Sequence, residues 1–130
     1  MGLKTYEENI VKFLISEKGV FRLTSLIKSK YCIMQAIFIA FDQAHNEAIL
    51  DILEKSSCRG FTSFGETQGK GSKTGDPHFG SHAWPSLGSA ILTIVEDDKV
   101  EILLQKLRHL DESKPRLGLR AFVWQITQSI

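Results

Sequence analysis

The stretch GETQGKGSKTGDPHFGSHAWPSLG, residues 65–88, concentrates the residue types of this chain that are most able to bind a ligand. Glycines leave backbone amides free to approach an anion, and Lys70 and Lys73 lie between them. Such amides, with cationic side chains beside them, can form an anion-binding nest. The stretch therefore predicts either an anion-binding loop or a solvated, flexible one.

The spacing of the glycines excludes two standard phosphate loops. A Walker A loop requires Ser or Thr directly after its Gly-Lys pair, but Lys70 is followed by Gly71. Gly69, Gly71 and Gly75 give G-x-G-x-x-x-G, which differs from the dinucleotide fingerprint, and prolines follow where that motif needs a helix.

Two histidines of the stretch are weak candidates for metal ligands. His78 and His82 are four residues apart, which on a helix would place both on one face, but Pro77 disfavours a helix there. Asp76, or Cys58 from elsewhere, would have to complete the site. The alternative is that both histidines are polar loop groups or subunit contacts.

Trp84, which with Pro85 precedes the third predicted strand, has two interpretations. An indole at a loop-to-strand junction packs against the base of the loop, or it is an exposed contact for a partner. No nucleophile elbow or other triad motif accompanies these residues, so we expect the protein not to be an enzyme.

Composition narrows the class of protein. The chain has 130 residues, 42% of them hydrophobic, and a net charge of +1. This is the size of one domain with its own core, and the charge disfavours nucleic acid as a partner. No apolar run is long enough to cross a membrane and no basic-then-hydrophobic leader is present, so the expectation is a cytoplasmic protein with reduced cysteines and no membrane insertion.

Hydrophobic periodicity predicts four strands and two helices after residue 32. Residues 33–41, 61–68, 87–95 and 119–127 are apolar or β-branched runs typical of strands, with a bulge at Gly65. Amphipathic helices are predicted after the N-cap Asp42 and from the acidic pair at residues 97–98. The first has an apolar stripe, and His45, Glu47, Asp51 and Glu54 are expected to face outward.

The order β-α-β-β-α-β predicts an α+β, ferredoxin-like sandwich, in which two helices cover one face of a four-stranded antiparallel sheet. Its other face would expose aromatic residues such as Phe122 or Trp124, so oligomerisation is expected to cover them. Residues 1–32 are predicted to be an N-terminal helical extension. Met34 is a candidate for the natural first residue, and in that case the extension would not be native.

Two passages, RGFTSFGETQGKGSKTG and VEDDKVEILLQKL, together with the order of elements, resemble the PII signal-transduction proteins. The matching positions are Gly60, Thr62, Gly69, Gly71, Val95, Asp97, Asp98, Val100 and Glu101. The resemblance extends over about residues 33–127. The turn DESKPRLGLR departs from the glycine-rich phosphate-binding turn of that family, keeping only Gly118 and a basic residue, Arg120, and no tyrosine occurs in residues 65–88.

The resemblance implies a PII-like domain at residues 33–130 with a T-loop at about residues 69–86. It implies a homotrimer that binds a small effector, such as ATP, ADP or AMP, between subunits, and that signals through the T-loop to a transporter or enzyme. The implied effector site contains Gly69, Lys70, Gly71, Lys73, Gly118 and Arg120. The alternative is a metal-binding trimer similar to divalent-cation tolerance proteins, using His78 and His82.

Overall fold

The part of the chain that the structure, a computed structural model, describes is residues 33–130. The predicted N-terminal extension, residues 1–32, lies outside this range, so the domain boundary stays a prediction. The elements within the range are β1 (Met34–Asp42), α1 (Asn46–Lys55), β2 (Phe61–Thr67), β3 (Gly69–Lys70), β4 (Pro77–His78), β5 (Gly88–Glu96), α2 (Asp97–Ser113) and β6 (Leu119–Gln125), with 3-10 helices at Gln43–His45 and Pro115–Leu117.

Among residues 33–130, four strands form an antiparallel sheet in the order β2-β5-β1-β6. The two longest strands, β1 and β5, are the central ones, because their nearly continuous apolar sequences suit strands with neighbours on both sides. The register of β2 against β5 shifts between Phe64 and Thr67, at the predicted bulge. The predicted ferredoxin-like α+β fold is confirmed.

The core lies between one face of the sheet and the two helices. Alternate residues of β1, such as Ile37 and Ile39, point to this side together with Ile91 of β5. The helices contribute residues at helical spacing, of which Ile49, Leu53, Leu103 and Leu107 are fully buried. Burying each such side chain contributes roughly 1.5–3 kcal/mol, so this layer holds the sheet strands in position.

The opposite face of the sheet has no helix over it in residues 33–130. Its large apolar side chains are exposed, namely Phe64, Ile94, Phe122 and Trp124. Strand pairing places Phe122 beside Phe38 and Trp124 beside Ala36 across β1 and β6. We call this uncovered side of the sheet, which includes Phe38, Phe64, Ile94, Phe122 and Trp124, the open face. The prediction that Phe122 and Trp124 lie on an uncovered face is confirmed.

The helix starts agree with the predicted capping residues in part. The Asp42 carboxylate accepts a hydrogen bond from the Ala44 amide at 2.7 Å, but it caps the 3-10 turn that precedes α1. Asp97 and Asp98 lie in the first turn of α2, where negative charge is favourable. No helix in residues 33–130 has the length and apolar character needed to cross a membrane.

The predicted outward orientation of His45 is wrong. Its side chain is 2% exposed and its Nε2 atom is buried with no hydrogen-bond partner. The residues before Asn46 form a 3-10 turn instead of continuing the α-helix, so His45 leaves the polar side that the helical spacing assigned to it. Burial lowers the pKa of His45 below its ordinary value of 6.5, and the Lys114 cation adds to this, against the carboxylates of Asp42 and Asp111.

We expect acid to destabilise the fold through His45. Below pH 6.5 the unfolded chain takes up a proton on this imidazole that the folded chain still excludes, so the free energy of unfolding falls as the pH decreases toward the folded-state pKa. The maximum slope from one group is about 1.4 kcal/mol per pH unit. Urea unfolding at a series of pH values from 6.5 downward, in the wild type and in a His45→Phe variant, measures this slope. An equal slope in both proteins would contradict the assignment to His45.

Candidate functional site

The glycine-rich segment begins as a short hairpin beside the sheet. Strands β3 and β4 pair in antiparallel register, Gly69 with His78 and Lys70 with Pro77. The Ser72 hydroxyl accepts a hydrogen bond from the Gly75 amide at 2.8 Å and so stabilises the tip. Gly69 therefore lies in a hairpin strand, and Gly71 and Gly75 lie at its tip, an arrangement that differs from both phosphate loops that the sequence excluded.

A second turn leads the chain back into the sheet. Ser81 and Trp84 exchange two backbone hydrogen bonds, and Gly80, with φ of 59°, donates to the Ser86 carbonyl. The Trp84 indole is 43% exposed, so the backbone of this turn closes the loop and the indole does so only in part. Whether the Trp84 indole packs against the loop base or contacts a partner stays a prediction.

The buried carboxylate of Asp42 ties the segment to the end of β1. Oδ2 accepts a hydrogen bond from the Ser86 hydroxyl at 2.5 Å. The same oxygen lies 3.1 Å from Nδ1 of His78, an ion-pair distance without the angle of a good hydrogen bond. Asp42 therefore contacts both His78 of the hairpin and Ser86, which lies shortly before the start of β5. We call Asp42, His78 and Ser86 the loop anchor.

The first of two adjoining cavities lies between the hairpin and the turn before β6. It has a volume of about 400 Å³, and residues 71, 72 and 74–76 of the hairpin form one wall. The opposite wall carries Arg116 and Arg120, while Asp76 is the one carboxylate in the lining. Guanidinium groups and hydroxyls are groups that bind phosphate or other oxyanions.

The second cavity is more apolar and has a volume of about 320 Å³. Phe38, Phe41 and Phe122 line it together with Gly69 and Lys70. Because Phe38 and Phe122 are neighbours on the open face, this cavity extends toward the surface where another subunit is predicted to pack. Aromatic walls beside a cationic pocket suit a flat, apolar ring joined to an anionic group.

The turn before β6 is held by α2. Asp111 accepts a hydrogen bond from the Leu119 amide at 3.0 Å, and its other oxygen lies 3.6 Å from the Arg120 guanidinium. Gly118 has φ of 63°, a conformation that glycine adopts without a steric penalty. These contacts hold the turn whose Gly118 and Arg120 line both cavities.

The predicted effector residues are brought together with one exception. Gly71, Gly118 and Arg120 line both cavities, and Gly69 and Lys70 line the second. Lys73 is exposed at the hairpin tip and lines neither. Whether these residues bind an effector stays a prediction.

Sequence reasoning missed two wall residues. Arg116 lies in the turn that was compared with the family's phosphate-binding turn, but only Gly118 and Arg120 of that turn were predicted to bind an effector. His78 was predicted to be a metal ligand, a polar loop group or a subunit contact, and not part of the effector site. His78 lines both cavities, whereas His82 lines neither and is exposed. No three His, Cys, Asp or Glu side chains within residues 33–130 come together as a metal site would require.

Similar proteins were found by comparison of structures and not by comparison of sequences. No family model matches the chain, and no curated protein sequence matches it. A structure of CPII from Thiomonas intermedia K12 bound to ADP and bicarbonate is 24% identical, with 72% of this chain and 86% of that chain covered and a TM-score of 0.60. This chain has the fold of the PII-like proteins.

Two further structures show the same PII-like fold. CPII from Thiomonas intermedia K12, described as a nitrogen regulatory PII-like protein bound to ADP, AMP and bicarbonate, is also 24% identical, with 72% and 86% coverage and a TM-score of 0.60. The B. subtilis GlnK-ATP complex is 17% identical, with 75% of this chain and 85% of that chain covered and a TM-score of 0.57. The predicted resemblance to PII-like proteins is confirmed in the fold.

Proposed function

We propose that this protein is a PII-like signal-transduction regulator that binds an adenine nucleotide between subunits of a homotrimer and reports the occupancy through residues 69–86. The observation that carries the proposal is the pair of adjoining cavities, which bring the glycine-rich hairpin and the turn before β6 together around Arg120. Nucleotides in the CPII and GlnK structures support an adenine nucleotide as the effector.

The two cavities differ in a way that matches the two ends of a nucleotide. The second cavity, with Phe38 and Phe122 in its walls, suits the base and the ribose. The first, with Arg116 and Arg120, suits the phosphates. Bicarbonate accompanies ADP in CPII, so it is a second anion to test with this protein.

The subunit arrangement follows from the open face. Four large apolar side chains share one uncovered surface, and a second copy of the chain carries the same surface. Packing these faces around a threefold axis buries Trp124 and brings the second cavity to a subunit boundary. A regulator of this kind needs no catalytic group, and its target would be a transporter or an enzyme that contacts the loop.

Calorimetry of the wild-type protein tests the proposal. We expect light scattering to give a trimer and titration to show binding of at least one of ATP, ADP and AMP, with or without bicarbonate. A folded trimer that binds none of them would overturn the effector part. A stable monomer would overturn the inter-subunit site.

A further inference from the structure

His78 of the loop anchor lines both cavities but is not one of the predicted effector residues. His78 connects three features: the hairpin, the buried Asp42 carboxylate and the walls of both cavities. Its side chain is only 12% exposed and that of Asp42 only 5%. An imidazole held at the junction of two cavities by a buried carboxylate is placed to contact an occupant of either one.

The two ring nitrogens of His78 have different surroundings. Nδ1 is fully buried and lies 3.1 Å from Oδ2 of Asp42. The side of the ring that reaches the cavities therefore carries Nε2. A carboxylate beside one ring nitrogen sets the tautomer that places the proton there, so a neutral His78 carries its proton on Nδ1 and a lone pair on Nε2.

An anionic occupant changes the protonation that His78 prefers. A lone pair on Nε2 repels an anion, whereas an imidazolium donates a charge-assisted hydrogen bond from the same atom. The charged groups that share the cavity walls with His78 come from every neighbouring element: Lys70 on β3, Arg116 before β6, Arg120 on β6 and Asp76 on the hairpin itself, with Asp42 behind the ring. The cations attract the anion, and Asp42 lies beside the buried ring nitrogen.

We propose that His78 contacts the anionic part of the effector through Nε2 and that effector binding is coupled to uptake of a proton by its imidazole. This inference rests on the proposed function of the same cavities. The proton comes from the buffer and adds to the Nε2 lone pair, while the Nδ1 proton stays on the side of the ring beside Asp42. Because His78 belongs to β4, the same step tightens the hairpin against the sheet, so the state of the loop reports both the effector and the pH.

Titration calorimetry with ADP, in two buffers that differ in heat of ionisation, measures the proton uptake directly near neutral pH. We expect the wild-type protein to take up a fraction of a proton per site. A His78→Asn variant keeps a polar atom near Nδ1 but cannot titrate or reach the cavity. We expect it to lose that uptake and to bind ADP about tenfold more weakly. His109→Asn, an exposed histidine on α2 outside both cavities, is the matched control and should behave as wild type.

Equal proton uptake in the wild type and His78→Asn would overturn the inference, as would unchanged ADP affinity. A His78→Gln variant places an amide near Nε2 and should recover part of the affinity without the proton uptake, which a merely structural role would not produce. Sulfate, which does not titrate near neutral pH, is the second probe. Sulfate binding with proton uptake but no ADP binding would sustain this inference and contradict the nucleotide proposal, whereas binding of neither probe would overturn both.

Discussion

A Trp124→Glu variant is expected to be a folded monomer under conditions in which the wild-type protein is a trimer. The indole is 47% exposed on the open face, so an isolated chain loses little when it is replaced. In the proposed trimer we expect the same position to be buried, and buried Trp residues commonly supply much of the binding free energy of an interface. Losing that burial costs about 2–3 kcal/mol at each copy, and the buried carboxylate adds to it.

Light scattering measures this result as a fall from three chain masses to one, each of 14.6 kDa. Trp124 lines neither cavity, so the variant tests assembly separately from the walls of the site. Ile102→Glu is the matched control: Ile102 is 48% exposed, but it lies on α2, on the opposite side of the sheet. A trimeric Trp124→Glu, or a monomeric Ile102→Glu, would show that the open face is not the subunit interface.

An Arg120→Gln variant is expected to bind ADP about a hundredfold more weakly than the wild type, which corresponds to about 2.7 kcal/mol. Arg120 is a cation that lines both cavities, so we expect its guanidinium to contact a phosphate bound there. Glutamine keeps a polar group and most of the side-chain length, but it cannot supply the charge or the two parallel donors.

The measurement is calorimetric titration with ADP, accompanied by thermal unfolding to show that the variant still folds. Arg108→Gln removes the same charge from α2, where Arg108 pairs with Glu101 at 2.8 Å away from the cavities. We expect the control to keep the wild-type affinity. An equal loss in both variants would indicate a general effect of net charge, and no loss in Arg120→Gln would remove this residue from the site.

The strands and helices were predictable because each depends on residues close together in the chain. The apolar run that became β1 and the i, i+3, i+4 pattern that became α2 are local signals. His45 was the exception, since a 3-10 turn of three residues changes the helical phase without leaving a sequence pattern. The hairpin of β3 and β4 was also not predicted, because two-residue strands carry no periodicity.

The candidate site was predictable to the extent that it uses glycines and the ends of strands. Gly71, Gly118 and Arg120, which the family resemblance grouped from two distant turns, line the same two cavities, while their binding of an effector stays a prediction. Arg116 was not, because a single arginine in a polar turn gives no indication of which cavity its side chain reaches. Lys73 was included on proximity in sequence, yet it lies at the exposed hairpin tip.

The sequence by itself determined the α+β order of elements, the uncovered aromatic face and the glycine-rich composition of residues 65–88. These features follow from local periodicity and from residue types. Only the tertiary structure decided what the glycine-rich segment is attached to. Asp42 and Ser86 are 44 positions apart, and they meet because β1 and β5 are antiparallel neighbours whose ends coincide. That pairing also places His78 beside a buried carboxylate, whereas His82 of the same segment is exposed.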